Sequence, residues 1–316
     1  MSDTTALLPD SAQHPADVFG ATARNRFDDA VAERRGTSPV RRGRDALAWV
    51  ARRPTAAIAI LWLLLIVVAA LWPSLLAPGD PLVGVPADKL QPPSPQHWFG
   101  TDQLGRDLYT RVVHGTALTL SAAGVAVLVG LVVGSLVGLF SGFFGGRVDS
   151  VLMRFADVLL AIPALLLSLA IITALGFGTV NVAIAVGFAS IASVSRIMRS
   201  EVLRVRGSAY VEAARASGGR WNRVLFRHVL PNSTGPVIVL GILELGTAIL
   251  AVSALSFLGY GAPPPAPEWG SLVSAGRDYL RGAWWLTTMP SLVIVATVLA
   301  ANRLSRVLDT EGRSHR

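Results

Sequence analysis

Cysteine is absent from the sequence, lysine occurs once, and only 15% of the 316 residues are charged. Without cysteine the chain has no disulfide, no thiolate metal site and no cysteine nucleophile. A Walker A loop for ATP requires a lysine within a glycine-rich motif, and the single lysine, Lys89, lies instead in "PADKLQPP". Soluble domains carry about 25% charged residues, so the composition also argues against a soluble enzyme.

Other catalytic patterns are missing as well. The five histidines are scattered, with no His-x-x-x-His pair for zinc, and the sequence has no Gly-x-Ser-x-Gly elbow. The apolar runs offer almost none of the paired polar groups that an intramembrane hydrolase needs. We therefore predict that the chain is not an enzyme and binds no metal or cofactor of its own.

Long apolar runs dominate the sequence, in which 52% of the residues are hydrophobic and the mean hydropathy is +0.52. Six runs approach the ~20 residues that a helix needs to cross a bilayer. They lie near residues 55–72, 116–140, 158–175, 180–194, 236–258 and 285–301. The tight connection "GFGT" (176–179) predicts an antiparallel hairpin of the third and fourth runs. The sequence thus predicts an all-α polytopic membrane protein with six transmembrane helices over residues 46–310.

The basic residues indicate how these helices are oriented. Segments 1–54, 141–157, 196–232 and 302–316 hold 23 of the 28 arginines and lysines, and segments 73–115, 176–179 and 259–284 hold the other five. By the positive-inside rule, both termini and segment 196–232 are expected in the cytoplasm. Because the arginines cluster between apolar runs, we expect a bilayer and not nucleic acid as their partner.

The remaining segments are assigned from composition. Residues 1–45 are expected to form a mobile or partly helical cytoplasmic extension, with a regulatory tail as the alternative, and residues 311–316 a short C-terminal tail. Within the outer segments 73–115 and 259–284, residues 73–99 and the stretch "GAPPPAPEWG" (261–270) are proline-rich, which predicts exposed, extended chain. Trp284 and Trp285 are predicted to be anchors at the membrane interface.

Small residues recur every fourth position in the second run. They are Ala122, Ala126, Gly130, Gly134, Gly138 and Gly142. This spacing places them on one helix face and permits close approach of another backbone. It predicts a helix-packing surface, and an interface that slides during a conformational cycle remains the alternative.

Two further sets of charged residues lie at or near the predicted spans. Glu244 is in the middle of the fifth run, where a carboxylate is costly and therefore a functional candidate. It is expected either to line a water-filled path or to pair with a polar group on a neighbouring helix or subunit. Arg154 and Asp157, three residues apart, are expected to form a local ion pair.

Segment 196–232 contains "YVEAARASGG" (210–219). Ser208 is predicted to cap a helix over residues 209–217 that ends in a left-handed turn at Gly218-Gly219. A second amphipathic helix is predicted over 220–229, and Pro231 is predicted to close it before the fifth span. The apolar face of that second helix comprises Trp221, Val224, Leu225 and Val229. Two such helices at the cytoplasmic surface indicate a docking device, a lipid-interface anchor, or a plain interfacial loop.

At these residues the sequence resembles the inner-membrane permeases of binding-protein-dependent ABC importers. The family hallmark is present as Glu212-Ala213-Ala214, Gly218 and Leu230-Pro231. Segments such as "HWFGTDQLGRDLYTR" (97–111) and "EWGSLVSAGRDYL" (268–280) are similar to the branch that imports dipeptides, oligopeptides or nickel, and to its "C" permease. A glutamate common before "LSFLG" is replaced by Val252, and the usual Gly-Asp near the C-terminus by Ser305-Arg306.

The resemblance implies a type I ABC importer permease in a bacterial plasma (inner) membrane. Its expected partners are a second, homologous permease in a heterodimer, two cytoplasmic ATPase subunits that hold ATP and magnesium, and an extracytoplasmic substrate-binding protein. The expected substrates are di- or oligopeptides, with nickel or another small solute as the alternative, and a stand-alone carrier or channel is the competing hypothesis. The resemblance assigns contact with the ATPases to Tyr210, Glu212, Ala213, Ala214, Arg215, Gly218, Leu230 and Pro231.

Overall fold

The structure is a computed structural model, and it describes residues 54–314, with side chains to residue 307. The extension predicted for residues 1–45 lies outside these residues. The described part of the chain is helical, with one isolated β-bridge between Thr101 and Asp107. Its α-helices are, in chain order, α1 (Pro54–Leu71), α2 (Pro73–Leu76), α3 (Leu108–Phe144), α4 (Gly146–Ala161), α5 (Ala164–Leu175), α6 (Thr179–Arg206), α7 (Ala209–Ala216), α8 (Trp221–Val224), α9 (Leu230–Phe257), α10 (Trp269–Gly276) and α11 (Trp285–Ser314). The helix α11 thus includes residues 311–314 of the predicted tail.

The third predicted span is bent. Helices α4 and α5 together are apolar enough to cross a membrane, but their axes meet at 96°. The expectation of one straight helix over residues 158–175 is therefore wrong. Pro163 lacks the N–H that would continue the helix, and Ile162 before it is extended (φ −97°, ψ 129°).

Helices α3 and α6 form the most extensive helix pair and run in the same direction. The small residues of α3 face α6 in register, with Gly130 near Ser190, Gly134 near Val194 and Gly138 near Met198. Because residue numbers rise together on both helices, the chain must return once between them, through α4 and α5. Five helices are long and apolar enough to cross a membrane, and the bent pair is a sixth candidate if it is counted as one span, which agrees with the six spans that the sequence predicts.

All six residues of the α3 stripe are buried. A Cβ on Gly134 would lie 2.7 Å from the Val194 Cβ and 2.8 Å from the Ile191 carbonyl oxygen. These distances are below ordinary van der Waals contact, so the glycines are what allow the two backbones to approach. The stripe lies against α6 of the same chain along its length.

The hairpin of α5 and α6 agrees with the prediction. Its turn contains Gly176 and Gly178, both with positive φ, a conformation that glycine adopts without steric cost. Across the turn, the Ser168 hydroxyl lies 3.4 Å from the Ala185 carbonyl oxygen. The helix α1 lies at the edge of the bundle, where the Trp62 Nε1 donates to the Thr297 hydroxyl at 3.1 Å.

The segment between α2 and α3 is folded, contrary to the expectation of extended chain. The carboxylate of Asp102 accepts hydrogen bonds from the backbone N–H groups of Leu104 and Arg106 and from the Arg106 Nε, at 2.7–3.0 Å. The Trp285 Nε1 donates to the Thr101 carbonyl oxygen at 3.2 Å. Trp285 is only 4% exposed, so it is a buried residue that connects two segments and not an anchor at the membrane interface. Trp284, in contrast, is half exposed.

The segment between α9 and α11 is also built into the protein. Glu268 is fully buried, and its carboxylate accepts from the Ser256 hydroxyl at 2.6 Å and the Ala262 N–H at 2.9 Å. The neighbouring Trp269, equally buried, donates its indole N–H to the Val112 carbonyl oxygen at 3.0 Å. These bonds join the segment to α9 and α3.

Candidate functional site

The short helix α7 (Ala209–Ala216) begins and ends close to the predicted positions. Gly218 ends it with φ +79°, and the Gly219 N–H bonds to the Ala214 carbonyl oxygen at 3.1 Å. The predicted cap at Ser208 is wrong in detail. Its hydroxyl donates to the Val205 carbonyl oxygen at 2.6 Å, and no side chain caps α7. The Ser208 hydroxyl is therefore bonded to the C-terminal end of α6, and α7 begins directly after Ser208.

One face of α7 is buried and the rest is exposed. Val211 is fully buried in an apolar cluster, and Ala214 packs against that cluster. Tyr210, Glu212, Ala213 and Arg215 are exposed. The cluster that holds Val211 also contains residues of α3, α6, α8 and α9: Leu139, Phe143, Val194, Met198, Val202, Val205, Val224, Leu225, Val229 and Val237. A displacement of α7 must therefore move or deform the ends of these helices.

The second amphipathic helix is continuous with the fifth span. Residues 225–229 form a π-helical turn, in which the Leu230 N–H bonds to the Leu225 carbonyl oxygen, and α9 follows without a break. The expectation that Pro231 separates two helices is wrong. Pro231 lies inside this continuous helix, directly after the π-helical turn, where the regular i→i−4 hydrogen bonding is already interrupted. π-Turns within helices occur often at functional sites.

The apolar face predicted for that helix is mostly correct. Val224, Leu225 and Val229 are at most 1% exposed. Trp221 is 55% exposed and contacts Phe144 with ring centroids 5.4 Å apart. Leu230 is half-buried and Pro231 is exposed. Of the hallmark residues, Ala214 and Leu230 therefore pack against the apolar cluster, whereas Glu212 and Ala213 are exposed on α7.

The surface around α7 is rich in arginine. Exposed arginines are at positions 204, 215, 220, 223 and 227, and Glu212 is the one acidic residue of α7. The guanidinium of Arg215 lies 5.2 Å from the Phe143 ring centroid, which directs its charge along the end of α3. The exposed surface of α7 thus combines alanines and one carboxylate with Tyr210 and Arg215, within a basic surrounding.

Glu244 lines a cavity of about 370 Å³ between α3, α4, α5, α6 and α9. Most of the wall is alanine, valine and leucine. The polar residues of the wall are Ser168, Ser190, Ser193, Glu244 and Thr247. The Thr247 hydroxyl lies 3.2 Å from the Glu244 carboxylate. Glu244 thus lies in the wall of a cavity whose lining residues include no basic side chain.

Two ion pairs tie α4 to α6. The Arg199 guanidinium binds Asp149 through two hydrogen bonds of 2.6 Å, and the Ser141 hydroxyl also donates to Asp149. Asp157 pairs with Arg196 at 2.6 Å, so the expected pair of Asp157 with Arg154 is wrong. The partners are 39 and 50 residues apart in sequence, and no local spacing could have indicated them.

Among the residues that the structure describes, no three His, Asp or Glu side chains converge as a metal site.

Comparison with known proteins places this arrangement in a family. The family described as "Binding-protein-dependent transport system inner membrane component" matches residues 134–312. A dipeptide transport system permease protein of Alkalihalophilus pseudofirmus is 36% identical over 83% of this chain and 86% of its own length. A di/tripeptide transport system permease protein of Pseudomonas aeruginosa is 41% identical over 77% of this chain and 82% of its own.

Two more findings extend this comparison. A glutathione transport system permease protein of Shigella flexneri is 42% identical over 80% of this chain and 84% of its own length. Among solved structures, a chain of the MetNI methionine ABC transporter in inward facing conformations matches 63% of this chain and 96% of its own, with a TM-score of 0.50 and 17% identity. At that identity the structural match shows a shared fold.

Proposed function

Because the chain belongs to the family of binding-protein-dependent transport system inner membrane components, we propose that it forms half of a path through which di- or oligopeptides are imported. It is a permease subunit, a transport component and not an enzyme. The proposal of peptides is supported by relatives at 36–42% identity that are named for dipeptides, di/tripeptides and glutathione. The other half of the path is a second, homologous permease.

The exposed face of α7 is the surface that cytoplasmic ATPase subunits grip, and ATP and magnesium reside on those subunits. The observation that carries this assignment is the division of α7 between one buried anchor, Val211, and an exposed face with Glu212 and Ala213. Small side chains let a partner groove close around the helix. The basic surroundings favour an acidic rim on the partner.

Motion of α7 reaches the membrane through its anchor. Val211 lies in the cluster that joins the ends of α3 and α6 to the start of α9, and α8 continues into α9 without a break. Closure of the ATPases would press on α7, and the continuous α8–α9 rod would tilt with it. The wall that carries Glu244 is part of this rod, so ATP binding changes the cavity.

Charge reversal and backbone strain test the docking role. Glu212→Arg adds a positive charge to a basic surface, and Gly218→Leu places a side chain at φ +79°, where L-residues are strained. We expect each variant to lower co-purification of the ATPase subunits at least about tenfold, equivalent to ~1.4 kcal/mol, and to lower peptide uptake in parallel.

The matched control for the change of charge is Asp278→Arg. It reverses the charge of an exposed residue in the segment assigned to the outer side, and it should leave co-purification unchanged. Membrane expression and the thermal midpoint show that each variant is folded. Wild-type co-purification and uptake in the double variant Glu212→Arg/Gly218→Leu would contradict the assignment of α7.

A further inference from the structure

The cavity beside Glu244 presents hydrogen-bond acceptors and almost no donors. The hydroxyls of Ser168, Ser190 and Ser193 donate to carbonyl oxygens of their own helices, at 2.8–2.9 Å. The Thr247 hydroxyl does the same, to the Glu244 carbonyl oxygen at 2.9 Å. A hydroxyl has a single proton, so each of these groups is left with lone pairs for the cavity.

The rest of the wall adds neither donors nor positive charge. The other lining residues are alanine, valine and leucine, and none is Lys, Arg, His, Asn, Gln or Trp. The cavity thus combines one carboxylate, four hydroxyl acceptors and apolar walls. The ligand group that complements this set is a cation with several N–H donors, because an ammonium carries three donors and no acceptor.

A transported peptide carries such a group at its N-terminus. We propose that Glu244 is the residue that receives the N-terminal ammonium of the peptide, with hydroxyl oxygens of the same cavity accepting its remaining N–H donors. This inference rests on the proposed import of peptides. The cavity volume of about 370 Å³ falls in the range of small-molecule sites, which is about 300–1,000 Å³.

The lining of the cavity also fits the amino end of a peptide and not its carboxyl end. The apolar wall accepts side chains of varied shape without specific bonds, which suits a transporter of many peptides. The C-terminal carboxylate finds no donor among the residues that line this cavity, so the groups that bind it lie outside the cavity.

Direct labelling of the complete complex tests the inference without the selectivity of the binding protein. The two permeases and their ATPases are placed in nanodiscs and exposed to a dipeptide that carries a diazirine side chain, either with a free amino group or N-acetylated. We expect wild type to be labelled at least about tenfold more by the free amine than by the acetylated form, with the label mapping to α9 near Glu244. We expect Glu244→Gln to lose this preference because the charge-assisted bond is gone, and Glu244→Asp to restore part of it.

The acetylated probe is the internal control, because its labelling should be equal in wild type and Glu244→Gln. Equal labelling of wild type by the two probes, or an unchanged preference in an assembled Glu244→Gln complex, overturns the inference. The wild-type comparison decides the matter even if Glu244→Gln does not assemble. Uptake of free dipeptide by wild type in proteoliposomes with the binding protein and ATP is measured alongside. Absence of that uptake overturns the proposed function, and this inference with it, whereas normal uptake with no amine preference overturns this inference alone.

Discussion

Arg111, near the start of α3, holds together two segments that are far apart in the sequence. Its Nη1 donates to the Pro81 carbonyl oxygen at 2.8 Å and its Nη2 to the Pro265 carbonyl oxygen at 3.4 Å. Its Nε lies 3.6 Å from the Asp102 carboxylate. The planar guanidinium, with five donors in a fixed geometry, can reach several acceptors at once. Arg111 thus joins the segment before α3 to the segment after α9.

Arg111→Met should loosen this join. The carbonyl oxygens of Pro81 and Pro265 lose a charged donor at partly buried positions, and a hydrogen bond to a charged group contributes about 1.5–3 kcal/mol. We expect a lower thermal midpoint of the purified complex in nanodiscs and faster proteolysis between residues 77 and 107. Arg111→Lys should recover only part of the lost stability. The lysine keeps the positive charge, but its single ammonium cannot reach both carbonyl oxygens.

The control for Arg111 is Arg281→Met, which removes an exposed arginine and should shift stability by no more than about 0.5 kcal/mol. An Arg111→Met complex as stable as wild type would show that the guanidinium does not hold the two segments.

Residue roles could be predicted only where the signal is local. Glu244 was found because a carboxylate within an apolar run is unusual in itself. Arg111 and the Asp149–Arg199 pair were missed, because their partners lie 30 to 154 residues away. The same holds for Glu268, whose burial depends on the return of its segment onto α9. Single-sequence spacing carries no information about such contacts.

At the scale of helices, the α3–α6 pair depends on the absence of side chains along one face. Gly134 faces Val194 and the Ile191 carbonyl. Gly124, on the same helix, is exposed, and a Cβ there would have no atom within 4 Å. The two glycines differ only in what they face, and so they form a matched pair.

Gly134→Ala should separate α3 from α6, since the added methyl group lies 2.7 Å from the Val194 Cβ. Overpacking of this kind costs about 1–3 kcal/mol. We expect a lower thermal midpoint and a lower yield of assembled complex for Gly134→Ala, and neither change for Gly124→Ala. Equal behaviour of the two variants would show that close packing at the stripe is not required. Normal stability with slowed uptake in Gly134→Ala would instead support a sliding interface.

The fifth span and its cytoplasmic extension form a single rod. From Trp221 to Glu244 the α8–α9 helix rises about 35 Å at ~1.5 Å per residue, so it connects the α7 region to the cavity wall. The prediction of a separate helix closed by Pro231 failed because the π-helical turn before Pro231 already interrupts the i→i−4 hydrogen bonds that a proline would break. The buried face predicted from the apolar pattern of residues 224–229 was correct, whereas the predicted end of that helix at Pro231 was wrong.

Over the whole molecule, orientation follows from the distribution of positive charge. The C-terminal ends of α3 and α6 lie together, where the Arg206 Nη1 bonds to the Gly142 carbonyl oxygen at 3.2 Å, and α7 extends from this end. With 23 of 28 basic residues in the segments assigned to one side, we propose that this end faces the cytoplasm. Asp278, in the segment after α10, would then face outward.

The absence of cysteine makes this orientation directly measurable. Single variants Ser217→Cys and Asp278→Cys place a thiol at an exposed position on each side. A membrane-impermeant maleimide should label Asp278→Cys in spheroplasts, and Ser217→Cys only after permeabilisation, when the ATPase subunits are not co-expressed. Labelling of Ser217→Cys in sealed spheroplasts would invert the proposed orientation.

The class of the molecule was determined by the sequence itself. Apolar runs of membrane length, arginines gathered in alternate connections, and the hallmark from Glu212 to Pro231 are local patterns, and each constrains topology or docking without reference to distant residues. They were sufficient for the candidate membrane spans, for the bounds of α7 to within one residue and for the family.

Tertiary structure decided how these parts act on one another. The folded segments before α3 and after α9, the Asp149–Arg199 pair, and the meeting of α3, α4, α5, α6 and α9 around the cavity of Glu244 all arise from contacts between residues distant in the sequence. The physical reason is that a hydrogen bond or an apolar contact depends on which groups meet in space, and in a bundle of helices those groups come from different turns of different spans.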